Sequence, residues 1–133
     1  MLNQELIDLS RYRLNQAKEN LEEAEILFNI NKFKGASNRA YYSIFHAIKA
    51  LLALEKVDFK KHSSVIAYFN KEYISTEIFP KEIGKDITKI RLYREKSDYL
   101  DFYIISKDDC KDQLDKAKVI VETIEKHLQS RGI

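Results

Sequence analysis

The chain has 133 residues, of which 44% are hydrophobic, 3 are glycine, 1 is proline and 1 is cysteine, and its formal net charge is +2. We expect one helical domain over residues 1–133, because an all-β fold needs a turn about every 8–12 residues and this chain has too few turn-forming residues. The hydrophobic content excludes wholesale disorder, the lone cysteine excludes an internal disulfide, and the net charge is too small to indicate nucleic-acid binding by itself.

The first half of the chain predicts two long helices. Apolar residues recur at three- and four-residue spacing over residues 3–30, which is the pattern of an amphipathic helix. The predicted connection covers residues 29–35, where asparagines and Gly35 favour the end of a helix. Residues 36–56 predict a second helix that is apolar around most of its circumference, as is typical of a buried central helix.

The second half predicts three more helices. A short helix covers residues 62–73, and a fourth begins at Pro80 and runs to about residue 96. An aromatic-rich connection follows at 97–105, and Ser106 is the predicted N-cap of a fifth helix that ends near residue 130. The five helices predict an all-α, antiparallel up-down bundle in which two long terminal helices surround the buried central helix.

Charge is distributed unevenly along the chain. Residues 1–31 carry a net charge of −3, whereas residues 32–61 carry a net charge of +5. The basic segment could bind phosphates, or it could pack beside the acidic first helix, and the sequence by itself favours packing.

The sequence also predicts where the chain is located. The N-terminal residues lack the basic and apolar regions of a signal peptide, and Ser43, His46 and Lys49 interrupt the longest apolar stretch. We therefore expect no membrane partner and a cytoplasmic location.

Arg39 and His46 are the first candidates for catalysis. They are seven residues apart, which is almost two helical turns, so both side chains share one face of the second helix. A histidine can accept or donate a proton at neutral pH and an arginine can stabilise charge on phosphate oxygens, so the pair could act on a phosphodiester. The alternative, which the spacing by itself favours, is a histidine that is hydrogen-bonded within the packing.

A second candidate set lies at the end of the fourth helix. It consists of Arg91, Arg94, Asp98 and Tyr99. Arginines can bind phosphates and a tyrosine ring can stack on a base, so this set, together with Lys60 and Lys61, could bind a nucleotide or RNA. The alternative is an ordinary ion pair between Arg94 and Asp98, four residues apart on the helix, worth a few tenths of a kcal/mol.

No metal or cofactor is expected. The three histidines lack the carboxylate or cysteine spacing of a metal site, and the chain has no glycine-rich phosphate loop. His62 is predicted to cap the third helix or to face solvent, and His127 is predicted to lie on the surface.

Three segments of the chain match one known family in order and spacing. Residues 38–52 read Asn-Arg-Ala-Tyr-Tyr-Ser-Ile-Phe-His-Ala-Ile-Lys-Ala-Leu-Leu, residues 61–66 read Lys-His-Ser-Ser-Val-Ile, and residues 94–99 read Arg-Glu-Lys-Ser-Asp-Tyr. They resemble the central helix, the segment after it and the Arg-x3-Asp-Tyr element in one branch of the HEPN family, the higher-eukaryote and prokaryote nucleotide-binding domain. The resemblance covers about residues 10–128.

The resemblance implies an antiparallel helical bundle that forms a homodimer. It also implies a partner, a small nucleotidyltransferase encoded beside it, often as a toxin–antitoxin pair. Many family members are metal-independent ribonucleases with an arginine and a histidine in a cleft at the dimer interface, and the six residues between Arg39 and His46 meet the family spacing. Two features depart from that pattern. Ala40 directly follows Arg39, where the family commonly has a polar residue. The family's pair usually lies on a later helix, nearer to Arg94, and there the residue five positions after Arg94 is Tyr99 and not a histidine.

The sequence therefore predicts a HEPN-like dimer that acts on RNA or nucleotides, as the toxin-type half of a pair with a nucleotidyltransferase. If it cuts RNA, we expect His46 to act as general acid or base and Arg39 to stabilise the phosphate, with attack by the RNA's own 2′-hydroxyl and no metal. The alternatives are a non-catalytic module that binds nucleotide or RNA, and a purely structural helical interaction protein.

Overall fold

Five α-helices form the fold in this computed structural model, which describes residues 3–133. They are α1 (Gln4–Asn29), α2 (Phe33–Leu54), α3 (His62–Phe69), α4 (Lys81–Tyr99) and α5 (Lys107–Ser130). A π-helical turn, Asn70–Ile74, continues α3. The described residues contain no strand, and the predicted all-α bundle is confirmed.

Helix α2 lies at the centre of the bundle and packs against the other four helices. Most of its residues are buried, and Ile48, Leu51 and Leu52 are fully inaccessible to solvent. A helix that is apolar on most sides can bury all of that surface only when neighbours surround it, which explains the predicted central position.

The connection between α1 and α2 is shorter than the sequence predicts. It contains only residues 30–32, and Asn31 turns the chain with a φ of 62°. The prediction that residues 33–35 belong to the connection is wrong, because Gly35 lies in the first turn of α2. A Cβ at Gly35 would lie 3.2 Å from the Leu27 side chain, so glycine at this position lets α1 and α2 approach closely.

The ends of α4 also differ from the prediction. Pro80 precedes the helix as its N-cap, and the helix continues to Tyr99, so residues 97–99 are helical and not part of the connection. The predicted N-cap of α5 is confirmed, since the Ser106 hydroxyl accepts a hydrogen bond from the Asp109 amide at 3.0 Å. Within residues 3–133 no helix has the length and apolar content needed to cross a membrane.

Candidate functional site

Side chains from α2, α3 and α4 meet in one group that we call the histidine cluster. It consists of Tyr41, Tyr42, Phe45, His46, His62 and Arg94. The first four lie within two turns of α2, whereas His62 begins α3 and Arg94 comes from α4. The cluster therefore depends on the packing of three helices and not on one local motif.

His62 is held in a defined orientation by two residues of α2. The Tyr41 hydroxyl lies 3.0 Å from His62 Nδ1. The Phe45 ring stacks on the imidazole with their centroids 4.0 Å apart. Because the pKa of the Tyr41 hydroxyl is raised by burial, that hydroxyl keeps its proton and can donate it to Nδ1. A neutral His62 ring then carries its own proton on Nε2.

Arg94 lies over the two tyrosines of the cluster. Its guanidinium carbon is 4.8 Å from the centroid of the Tyr41 ring and 5.6 Å from that of Tyr42, which is the geometry of a cation–π contact. Its Nη2 donates to the Tyr42 hydroxyl at 3.4 Å, and its Nε lies 3.3 Å from a carboxylate oxygen of Asp98. The Nε is buried and has no well-formed hydrogen bond within residues 3–133.

The guanidinium of Arg94 is thus poorly satisfied for a buried group. Its side chain is 19% exposed, and among residues 3–133 its five N–H donors make one hydrogen bond, 3.4 Å long, and one ion pair with Asp98. A buried charged donor without a strong acceptor costs free energy, and an anion that reached it would recover that free energy. Arg94 is therefore the side chain of the cluster best prepared to receive a phosphate.

The environment favours the neutral form of both histidines of the cluster. Burial lowers the pKa of His46, and the positive charges of Lys49 and Arg13 lower it further. Burial also lowers the pKa of His62, with Arg94 contributing next. A neutral imidazole at physiological pH can accept a proton, which is what a general base requires.

These lowered pKa values predict that acid destabilises the protein. In the folded state the pKa of His62 lies below its usual value near 6.5, so the unfolded chain binds the proton first. The stability that His62 contributes is complete above that value and is lost as the pH falls through the lower folded pKa. We expect the urea midpoint to fall from pH 7 to pH 5, and to fall less in His62→Gln. An equal fall in both proteins would contradict the lowered pKa of His62.

The predicted pair Arg39 and His46 is not brought into contact within the chain. Arg39 donates to Glu23 of α1 at 2.9 Å and to the Asn38 side chain at 2.7 Å. His46 instead lies beside Tyr42, with 6.2 Å between the two ring centroids. The guanidinium of Arg39 therefore already has acceptors. Its contact with Glu23 is the kind expected if the basic segment, residues 32–61, packs beside the acidic first helix.

The residues of the second predicted set lie around the cluster. The ion pair between Arg94 and Asp98 is present, and Arg91 pairs with Glu95 at 3.1 Å. Tyr99 is 74% exposed in the last turn of α4. Lys60 and Lys61, both exposed, directly precede His62.

Sequence reasoning missed the position of His62, which was predicted to cap α3 or to face solvent. The histidine does begin α3, but its ring is half-buried between the aromatic side chains of α2. The family resemblance includes residues 61–66, so the sequence drew attention to the segment that contains His62. It did not show which side chains His62 contacts. His127, predicted to lie on the surface, is also half-buried, with its ring centroid 5.3 Å from that of Phe79.

The cluster combines the groups that proton transfer and anion binding need. Two imidazoles flank Tyr42, and a guanidinium with spare donors lies on the tyrosine hydroxyl. Within the part of the chain that the structure describes, no three His, Cys, Asp or Glu side chains group so as to hold a metal ion. Acid–base catalysis on a phosphodiester, or binding of a phosphate without reaction, are the two kinds of chemistry that these side chains can support.

Comparison with known proteins gives a family match over nearly the whole chain. The model of the HEPN domain matches residues 10–127. A UPF0332 protein of Thermotoga maritima is 33% identical over 118 residues, which are 89% of this chain and 89% of that protein. Two proteins of Methanocaldococcus jannaschii, each named "Putative toxin", are 33% and 36% identical and match 90% and 74% of this chain, and 82% and 74% of their own lengths.

Proposed function

Because this chain belongs to the HEPN domain family, we propose that it is a toxin-type protein that acts on RNA or nucleotides and that the histidine cluster is its site. The observation that carries this proposal is Arg94, whose side chain is 19% exposed and whose buried Nε has no well-formed hydrogen bond among residues 3–133, beside two imidazoles with lowered pKa values. The names of the two archaeal relatives support the toxin-type assignment.

The reaction that we propose is cleavage of RNA without a metal. The 2′-hydroxyl of the RNA attacks the adjacent phosphorus while His46 accepts its proton. The bond from phosphorus to the 5′-oxygen breaks, and that oxygen takes up a proton from the imidazolium form of His62, which becomes more populated as the pH falls. The products are a 2′,3′-cyclic phosphate and a 5′-hydroxyl, so protons and oxygen atoms balance without water or a metal. Arg94 stabilises the charge that develops on the phosphate oxygens.

Arg39 and Arg94 are two candidates for the cation that stabilises the phosphate. The contacts favour Arg94, because Arg39 donates two short hydrogen bonds to Glu23 and Asn38. Arg94 is also linked to the histidines through Tyr42, whose hydroxyl accepts from it. The prediction from spacing, which assigns this role to Arg39, is tested in the same assay by Arg39→Ala.

The experiment that tests the proposal is digestion of total RNA by the purified protein in the presence of EDTA. We expect fragments that end in a 2′,3′-cyclic phosphate and begin with a 5′-hydroxyl, identified by mass spectrometry. The same preparation carrying Arg94→Ala controls for contaminating ribonucleases. A folded wild-type protein that leaves all RNA intact would remove the catalytic part of the proposal.

A non-catalytic binding module is the second candidate function. The exposed Tyr99 ring and the ion-paired Arg91 and Arg94 favour it, because a base can stack on the ring while a phosphate displaces the carboxylate partners. Under this candidate the protein presents nucleotide or RNA to a partner and does not cut it.

Arg94→Ala is expected to weaken the binding of a short single-stranded RNA by about tenfold, since it removes a charged donor from a partly buried site. Fluorescence anisotropy at a fixed salt concentration measures this change. Arg11→Ala is the matched control, because Arg11 is exposed on α1 and far from α4 in the chain. Equal affinity of wild type and a folded Arg94→Ala protein would contradict the role of Arg94 in both candidate functions.

The partners in this proposal are a second copy of the chain and a small nucleotidyltransferase, acting together in the cytoplasm. A homodimer would place two histidine clusters in one particle, and a nucleotidyltransferase would regulate the toxin-type protein. Sedimentation at micromolar concentration tests the homodimer directly. A monomer under those conditions would exclude a site shared between two subunits.

A further inference from the structure

Tyr42 is the member of the histidine cluster that contacts all of the others. Its ring lies against the imidazoles of His46 and His62, with centroid distances of 6.2 Å and 5.9 Å. Arg94 contacts both the ring and the hydroxyl. The two remaining members, which are aromatic neighbours on α2, meet the ring nearly at right angles. Tyr42 is therefore the side chain that joins the imidazoles of the cluster to its guanidinium.

The hydroxyl of Tyr42 has a proton to give. Its oxygen accepts from Nη2 of Arg94 at 3.4 Å, and no hydrogen bond among residues 3–133 uses the proton that the oxygen carries. The neighbouring hydroxyl of Tyr41 differs, because it lies 3.0 Å from Nδ1 of His62 and donates there. A hydroxyl that accepts from a charged donor is polarised by it and becomes a stronger donor itself. Tyr42 can therefore donate to an acceptor on a ligand.

Two donors at this place can converge on one oxygen atom. Nη2 of Arg94 and the Tyr42 hydroxyl oxygen are 3.4 Å apart, so a third oxygen can lie about 2.7–3.1 Å from both, the distance at which donors stabilise an oxyanion. Nη2 carries two N–H groups, so it can donate one to Tyr42 and the other to the same oxygen. The arrangement is that of an oxyanion hole made from two side chains.

We propose that Tyr42 is a catalytic residue of the histidine cluster, and that its hydroxyl donates a hydrogen bond to a non-bridging oxygen of the phosphate being cleaved. This inference rests on the RNA cleavage proposed above. Tyr42 transfers no proton: His46 accepts the proton of the 2′-hydroxyl and His62 supplies one to the 5′-oxygen. The hydrogen bond from Tyr42 strengthens as negative charge builds up on the phosphate, so it acts on the rate more than on affinity.

Tyr42→Phe tests the proposal with a small change, because it keeps the ring that packs against the imidazoles and removes only the hydroxyl. We expect the single-turnover rate constant for cleavage of a defined RNA to fall about 10²-fold, as on loss of one oxyanion donor. The Kd for the 2′-O-methyl form of the same RNA, which cannot be cleaved, should change by less than about threefold. Tyr12→Phe is the matched control, because it removes an exposed hydroxyl on α1 and should leave both quantities unchanged.

Sulfur substitution provides a readout that a purely structural role of Tyr42 would not change. A phosphorothioate at the cleaved position replaces one of the two non-bridging oxygens by sulfur, which is a weak acceptor. We expect the wild type to cleave one diastereomer at least about tenfold more slowly than the other. In Tyr42→Phe this difference should shrink at least about threefold, because the hydrogen bond that sulfur weakens is already absent. Tyr41→Phe leaves the Tyr42 hydroxyl in place and should keep the difference, whatever its effect on the rate.

The results separate this role from the proposed function. A folded Tyr42→Phe protein that cleaves RNA at the wild-type rate would overturn the role of Tyr42 and leave cleavage by the histidines standing. So would a difference between the diastereomers that is the same in Tyr42→Phe and in the wild type. A folded wild type that leaves all RNA intact would overturn the cleavage itself, and the role of Tyr42 with it.

Discussion

Replacing His46 with alanine is expected to lower the rate of metal-free RNA cleavage by about 10²–10⁴-fold, the range that a positioned general acid or base contributes. The same loss is expected for His62→Ala, because the proposed reaction needs one imidazole to accept a proton and another to donate one. Both imidazoles lie against Tyr42, with ring centroids 6.2 Å and 5.9 Å from the tyrosine ring. Single-turnover cleavage of a defined RNA measures the effect without interference from product release.

His127→Ala is the matched control for these variants. It removes an imidazole that packs against Tyr73 and Phe79 instead of the cluster, so cleavage should remain within about threefold of the wild-type rate. Tyr41→Phe keeps the ring under Arg94 but removes the hydroxyl that orients His62 Nδ1, and it should shift the pH profile of cleavage. A folded His46→Ala protein that cuts RNA at the wild-type rate would remove His46 from the reaction.

Leu51→Ala is expected to lower the free energy of unfolding by about 2–5 kcal/mol. Leu51 is fully buried on α2, the helix that all the others pack against, so the lost side chain leaves a cavity that the bundle cannot easily close. Equilibrium urea denaturation, followed by far-ultraviolet circular dichroism, measures the change.

Leu92→Ala provides the comparison on a surface position. Leu92 is 51% exposed on α4, so removing its side chain should change the free energy of unfolding by no more than about 0.5 kcal/mol. Equal losses in the two variants would mean that α2 is not the centre of the core. Because α2 also carries four residues of the histidine cluster, Leu51→Ala at a temperature near its unfolding transition should lose RNA binding together with its fold.

The helices could be predicted from the sequence because their signals are local. The spacing of apolar residues at three and four positions predicted the bounds of α1 and α5 to within a residue or two. The Ser106 N-cap is also a local feature, because its hydroxyl accepts from the amide of Asp109, three residues later. The errors fell where a distant contact decides the local structure. Gly35 was placed in a connection because glycine usually ends a helix, but the Leu27 side chain packs where its Cβ would be.

The sequence by itself determined the fold class, the burial of α2 and the family, since each follows from residue type and spacing along the chain. Only the tertiary structure decided which side chains meet. His62 reaches Tyr41 across 21 positions of the chain, and Arg94 reaches Tyr42 across 52. It also gave Arg39 a hydrogen-bonded acceptor on α1, whereas the Nε of Arg94 has no well-formed hydrogen bond among residues 3–133. Spacing cannot reveal this difference, because the acceptors of a guanidinium depend on which helices pack beside it.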